Sequence, residues 1–586
     1  MYQAISRAVA PAMIAASLLA ASALATAGER TMIRARSDAD YSAMRSEATA
    51  KGARIVKEMR SIGVLVVDAD AWSRAALAGS THVAGVTKDR VVRIVPEQNQ
   101  HEMFGPAWSN PLLAARVTGA LPAAASASVT ADPVNSYPGL LWNLSRIGAP
   151  AVWPVSTGSA NVRVGVADTG LDYTHSELAA RVESVVDLTV NESPQICKDL
   201  LGTGFNDADW AAYYGGPADT DWNGHGSWIG GNIAASLDGV GINGIAPNVT
   251  LVALKISQWC GSAFDSEILS AFTYAADHGI DVVSISFGGY VDRTTPDGEA
   301  SYQAYLSAVT YARSKGTVIV ASAGNEHTRI GNGGVVLSHG TLTLPGDPLF
   351  DAYGLYETPG GIPGVVDVSA TGNTVVGASA TCPDGSTAGN FATCKPASDR
   401  HQPTGVGRQN QLAYYSNYGP RIDIAAPGGS RKFNVPGADR GGTAGWPFTT
   451  DDGTTAYEDF SITSNWALEI PCAYFAPPTQ FYPYECYSTI QGTSMATPHV
   501  SAVLALIAST HPRLRHRPEA LVRLLKDGAR EVRGNTMRPL SARDTSPGDR
   551  TGVACPTGYC HLGGEAIEDE EAYGAGLVDA RAALRN

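Results

Sequence analysis

The chain from Trp142 onward is predicted to form an α/β fold, a doubly wound parallel sheet. Three observations predict it. Short β-rich runs recur at 162–167, 249–255, 282–286, 318–322, 366–370 and 422–426. Helix-like runs at 266–278, 301–315 and 497–509 fall between or after them, the alternation that parallel sheets require. The residues with chemical potential stand where strands end and helices begin, which is where open α/β sheets place their sites.

A smaller unit precedes this fold. Residues 41–53 and 69–78 are helix-prone, and 62–67, 83–86 and 91–95 are strand-like, so 28–104 is predicted to be a separate small α+β domain. Residues 1–27 have the make-up of an export signal. Arg7 supplies the positive start, 8–24 are apolar or small, and Ala25-Thr26-Ala27 offers a small-x-small cleavage site. The alternative is a retained anchor, for which the segment is short and rich in alanine. No later segment reaches spanning length without charges.

Composition narrows the classes further. Hydrophobic residues make up 44% of the 586 positions and charged ones 17%, a globular balance. The formal charge of −14 argues against nucleic acid as a partner, which wants a basic face. The eight cysteines allow about 105 complete pairings. Pairing nearest neighbours gives Cys382–Cys394, Cys472–Cys486 and Cys555–Cys560, and leaves Cys197 with Cys260. Some free thiols are the alternative. No cysteine has the spacing of a zinc site.

Three segments carry the chemistry. Gly492-Thr493-Ser494-Met495-Ala496-Thr497-Pro498-His499 places a serine at the mouth of the apolar run 500–508, which is predicted to be a buried helix. Backbone N–H groups at a helix start face any anion formed there. A serine nucleophile needs a base, and the base needs an orienting acid. Asp168 ends the run 162–167 and precedes Thr169-Gly170, while His225 lies in Asn223-Gly224-His225-Gly226-Ser227 and opens the helix-like run 228–235. The order acid, histidine, serine, each in its own motif, resembles the subtilisin-like serine proteases, or subtilases. The resemblance runs from about Trp142 to the C-terminus. The serine motif is its most specific part, since Asp-Thr-Gly also occurs in aspartic proteases. The His225 motif argues against the sedolisin relatives, and an esterase would want Gly-x-Ser-x-Gly around the nucleophile.

The resemblance implies several further assignments. Asn325, in the turn that ends the buried-strand pattern Val318 to Glu326, would donate to the oxyanion together with the Ser494 backbone N–H. Ser286, Phe287 and Gly288 would pair with an extended substrate as an added strand, and Ser322 and Gly324 would line the same cleft. Residues 28–104 resemble the family's ferredoxin-like propeptide, a chaperone and inhibitor, and 105–141 would be a linker or mature extension. The cut is expected beyond Val95, first at Phe104–Gly105 and otherwise in the Ala/Ser-rich stretch 120–131. No cofactor is needed for the chemistry, but a structural calcium ion is implied at Glu177, Asp238 and the carbonyls of Val240 and Ile242. An EF-hand at 219–230 is excluded, because Gly230 stands where a bidentate glutamate is needed.

Two departures from the family pattern stand out. The segments 193–219, 332–363, 380–412 and 428–491 are long, and Trp228 replaces a usual histidine, which is expected to alter packing near a substrate subsite. The expected protein is a secreted or periplasmic monomer that hydrolyses proteins or peptides, with its own propeptide as partner, no membrane association after signal removal, and a neutral to alkaline optimum. The alternatives are a narrow-specificity processing protease and an inactive subtilase-like binding module.

Overall fold

The structure is a computed structural model of the chain and describes residues 28–94, 141–189, 206–214, 216–239, 242–338, 351–372, 410, 412–413, 415–429, 446–449, 455–458, 462–466, 486–532 and 567–585. It divides into two compact units, the first ending at Lys88 and the second starting at Asp89.

In the first unit the order is β1 (Glu29–Ala35), α1 (Tyr41–Ala50), β2 (Arg54–Met59), β3 (Val64–Ala69), α2 (Ala71–Ala78) and β4 (Val83–Lys88). The strands form an antiparallel sheet in the order β2-β3-β1-β4, the β-α-β-β-α-β arrangement of ferredoxin-like folds. Ile33, Tyr41, Met44, Leu65, Val67 and Leu77 make its core. α2 starts where it does because the Asp70 carboxylate accepts the Ser73 N–H at 2.7 Å. The strand expected at 91–95 is not part of this sheet. Residues Val91–Ile94 form β5, which belongs to the second unit.

The second unit is built on β6 (Arg163–Asp168), β7 (Val182–Asp187), β8 (Thr250–Lys255), β10 (Val282–Ile285), β12 (Val318–Ser322), β14 (Val366–Thr371) and β15 (Ile424–Pro427). They form one parallel sheet in the order β15-β14-β12-β10-β6-β8-β7. Six of these strands coincide with the β-rich runs in the sequence. The seventh, β7, has the half-exposed pattern of an edge. A second, antiparallel sheet joins β13 (Tyr356–Thr358), β11 (Phe287–Val291), β5 and β9 (Ser262–Phe264) in that order.

The helices that position the site are α3 (His225–Ala234), α4 (Asp265–Asp277), α5 (Pro296–Ser314) and α6 (Thr493–Thr510). α6 is buried from Thr493 through Ala508, which explains why its sequence is apolar all round rather than striped. Val500, Val503, Leu504 and Ile507 share a core with Val164, Val166, Val320 and Val368 of the parallel strands. Burying each such side chain stabilises the fold by about 1.5–3 kcal/mol. Trp228 is wholly buried in this same core, so its effect falls on core packing rather than on a cleft wall. Among the described residues no helix is long and apolar enough to cross a membrane.

Candidate active site

Asp168 is the last residue of β6 and His225 the first of α3, so the sheet and a helix start bring together residues far apart in sequence. The His225 Nδ1 lies 2.8 Å from the Asp168 Oδ1, with both side chains almost fully buried. That Asp168 oxygen also accepts the Thr169 N–H at 2.8 Å. An imidazole whose Nδ1–H donates to a carboxylate keeps its Nε2 lone pair for a proton. Here Nε2 is buried and, among the described residues, makes no hydrogen bond.

The turn that delivers His225 is tied by Asp221. One of its oxygens accepts from the Asn223 N–H (2.9 Å), the Gly224 N–H (2.8 Å) and the Thr169 hydroxyl (2.8 Å). The other accepts from the Ser227 N–H (2.8 Å) and hydroxyl (2.7 Å). Thr169 accepts in turn from the Gly226 N–H at 2.9 Å. The Asp168 and His225 segments are thus cross-linked by backbone and short side chains. Gly226 is required by this approach: a Cβ there would stand 2.1 Å from the Gly170 carbonyl oxygen. Beneath it, the buried Lys255 donates to the carbonyls of Thr169 (2.5 Å) and Thr220 (2.9 Å) and pairs with Asp207 at 2.8 Å. Sequence reasoning missed the supporting roles of Asp221, Lys255 and Asp207. The signal for Asp221 was its position four residues before the histidine, within the 219–230 stretch.

Ser494 is the second residue of α6, which begins seven residues earlier than the run 500–508 suggested and carries Pro498 within it. Proline has no N–H to return to the carbonyl four residues back, and that carbonyl is Ser494's. It accepts instead from the Ser286 hydroxyl at 3.2 Å. Asn325 is docked onto the same segment: its Oδ1 accepts both the N–H and the hydroxyl of Thr493, each at 2.8 Å. This fixes the amide's orientation, with the Nδ2 turned away from Thr493.

Ser286 and the first residues of β11 form one side of a groove. Phe287 and Gly288 pair with Ile94 and Arg93, and on the other side Val91, Val92 and Arg93 pair with Phe264, Ala263 and Ser262. An extended segment of the chain therefore lies as an added strand between β11 and β9, one residue short of Ser286. Ser322 ends β12, and Gly324 has φ 98°. A Cβ on Gly324 would meet the Asn417 Nδ2 at 2.3 Å. Asn417 and the Tyr290 hydroxyl both donate to Glu326, whose carboxyl burial pushes up.

At the implied calcium site, Glu177 is buried and its Oε1 accepts the Ile242 N–H at 3.1 Å. Asp238 is exposed, and Val240 lies outside the described residues. Among the described residues no three or more His, Cys, Asp or Glu side chains cluster to hold a metal. A cation there would depend on the carboxylates of Glu177 and Asp238 and on backbone carbonyls, a hard oxygen set of the kind calcium accepts. Cys260 is disulfide-bonded. Cys197, Cys382, Cys394, Cys472, Cys555 and Cys560 lie outside the described residues.

Comparisons with known proteins identify the family. Residues 159–546, well over half of the chain, match the Subtilase family. Thermitase from Thermoactinomyces vulgaris is 26% identical over 366 residues, covering 62% of this chain and 80% of thermitase. Subtilisin DY from Bacillus licheniformis is 25% identical over 373 residues, covering 64% of this chain and 86% of its own. The fold is similar to that of the epidermin leader peptide processing serine protease from Staphylococcus aureus, with TM-score 0.58, 18% identity and coverage of 95% and 98% of the two chains. It is also similar to fervidolysin from Fervidobacterium pennivorans, a keratinolytic enzyme, with TM-score 0.51, 18% identity and coverage of 96% and 62%.

Proposed function

The chain belongs to the subtilase family of serine endopeptidases, and on that premise we propose that it is an exported, monomeric endopeptidase working through Asp168, His225 and Ser494. The observation that carries this reading is the buried contact of Asp168 with His225 at 2.8 Å, in the same unit as a groove that holds an extended peptide segment beside the Ser494 segment. The Ser494 Oγ attacks the scissile carbonyl carbon while its proton passes to the His225 Nε2. Asp168 holds the imidazole tautomer and stabilises the imidazolium. The oxyanion is held by the Ser494 N–H and the Asn325 Nδ2. Collapse of the tetrahedral intermediate breaks the C–N bond, with the proton delivered from His225 to the leaving amine. Water then enters by the same route in reverse roles and frees the acid. The family's catalysis needs no cofactor.

Substrates add as a strand along Ser286, Phe287 and Gly288, with Ser322 and Gly324 lining the cleft. Residues 1–27 direct export. Residues 28–104 act as a propeptide whose release leaves the mature enzyme, and Cys197 pairs with Cys260. A calcium ion at Glu177, Asp238, Val240 and Ile242 stiffens the loop beside α3. Chelation by EDTA should then lower the melting temperature, and an unchanged value removes the ion from this account.

The test of the main reading is the intact mass of the exported protein, wild type beside Ser494→Ala. Loss of the N-terminal residues in wild type alone, together with casein hydrolysis by wild type alone, is the expected result. Identical masses and no casein hydrolysis by either protein would overturn it.

A further inference from the structure

The segment leading into β5 is anchored by more than strand pairing. Asp89 is buried and accepts the N–H (2.9 Å) and hydroxyl (2.6 Å) of Ser266 in the first turn of α4. Arg90 comes next. Its Nε donates to the Asp265 Oδ2 at 2.8 Å and its Nη1 to the Tyr290 carbonyl at 2.7 Å. Its own carbonyl accepts the Asp265 N–H at 2.9 Å.

Asp265 has no exposed surface, and it is held by two further donors, the Tyr305 hydroxyl at 2.7 Å and the Ser301 hydroxyl at 3.2 Å, both from α5. An aspartate buried to this degree is costly unless a cation and hydrogen bonds compensate it. Tyr305 and Ser301 are neutral, so the guanidinium supplies the positive charge. Two acceptors of fixed geometry, one carboxylate oxygen and one backbone carbonyl, match the planar fork of arginine better than the point charge of lysine.

The register gives this receptor a place in substrate recognition. Ile94 stands opposite Phe287, and Ser286, the next residue back along that edge, is hydrogen-bonded to Ser494. A peptide bound in this register presents the residue after the one opposite Phe287 to the nucleophile. Counting back from there, the residue opposite Phe287 is P2, the one opposite Gly288 is P3, and the place taken by Arg90 is P6. We propose that Asp265, with the Tyr290 carbonyl, forms a P6 subsite that selects arginine in substrates, occupied in this structure by the chain's own Arg90. The proposal rests on the endopeptidase reading above. Asp265 touches no reacting atom and acts on specificity alone.

The test compares two heptapeptide p-nitroanilides, Asp-Arg-Val-Val-Arg-Ile-Val and the same peptide with glutamine for the first arginine. The enzyme is purified after expression of the full chain. Replacing a charge-assisted fork by a neutral amide should lower kcat/KM about tenfold, with a lysine peptide falling between. In Asp265→Asn the ratio of the first two peptides should collapse toward one. A wild-type ratio within twofold would overturn the subsite while leaving the endopeptidase standing, and this comparison needs no variant to fold. If neither peptide is cleaved while casein is, the subsite falls and the endopeptidase stands; if casein is also left intact, both fall.

Discussion

A buried histidine five residues after Ser494 shows how single side chains set the conditions under which the site holds together. His499 lies wholly inside the protein, its Nδ1 2.8 Å from the Met495 carbonyl and its Nε2 2.8 Å from the Asn143 side-chain amide. The carbonyl can only accept, so Nδ1 carries the proton and Nε2 accepts from the amide, a neutral tautomer. Burial pushes the imidazole down to about 4. In the unfolded chain it would titrate near 6.5. Between those values the unfolded state binds the extra proton and the folded state does not. The stability from keeping His499 neutral is therefore complete above about 6.5 and lost as the pH falls through about 4. The sum is roughly 3 kcal/mol. His499→Gln removes the titration and leaves the other groups as they are. The stability gap between wild type and this variant, measured by urea unfolding, should shrink by up to about 3 kcal/mol from pH 7 to pH 4. A gap independent of pH would mean that His499 takes up its proton as readily in the fold as in the unfolded chain.

Whole elements show which parts of this arrangement were legible in the sequence. The strands β6, β8, β10, β12, β14 and β15 were visible because a parallel strand covered on both faces is an unbroken run of Val, Ile and Ala. The starts of α3 and α6 were visible only through their motifs, and the extent of α6 was misjudged. The helix starts at Thr493, before the run 497–509, and passes through Pro498 because the Ser286 hydroxyl satisfies the carbonyl left without a donor. The strands β1 and β2 were missed because Arg30, Arg34, Arg54, Lys57 and Glu58 interrupt their pattern. β5 was seen as a strand, but its pairing was not, since nothing local distinguishes a strand of the first sheet from one lodged between β9 and β11. Buried charges are the other blind spot. Arg421 donates from Nη2 to the carbonyls of Gly360 (2.6 Å) and Val365 (2.8 Å) and from Nη1 to Asp423 (2.7 Å). It clasps the loop between β13 and β14 to the chain entering β15. Such a residue is indistinguishable in sequence from a solvated surface arginine. Only the folded backbone supplies its acceptors, as it does those of Lys255.

At the scale of the molecule, the division after Lys88 makes a claim that the chain itself can test. The first unit has its own core and its own four-stranded sheet, but at this size burial is modest and stability marginal. The second unit is a large parallel sheet whose strand contacts span long stretches of sequence, and such topologies fold slowly. Under the propeptide reading, the residues that matter for inhibition are those from Asp89 to Ile94, which the rest of the second unit holds by strand pairing on both edges, by the Asp89–Ser266 bonds and by the Arg90–Asp265 pair. A fragment of residues 28–88 lacks all of these, whereas 28–94 has them. With several hydrogen bonds at about 0.5–1.5 kcal/mol each and a charge-assisted pair worth more, the difference exceeds about a hundredfold in affinity. The expectation is that 28–94 added in trans inhibits casein hydrolysis at least about a hundredfold more strongly than 28–88. A 28–94 fragment carrying Arg90→Gln should fall between them. Equal inhibition by the two lengths would place the contact in the first unit's own surface and leave β5 without an inhibitory role.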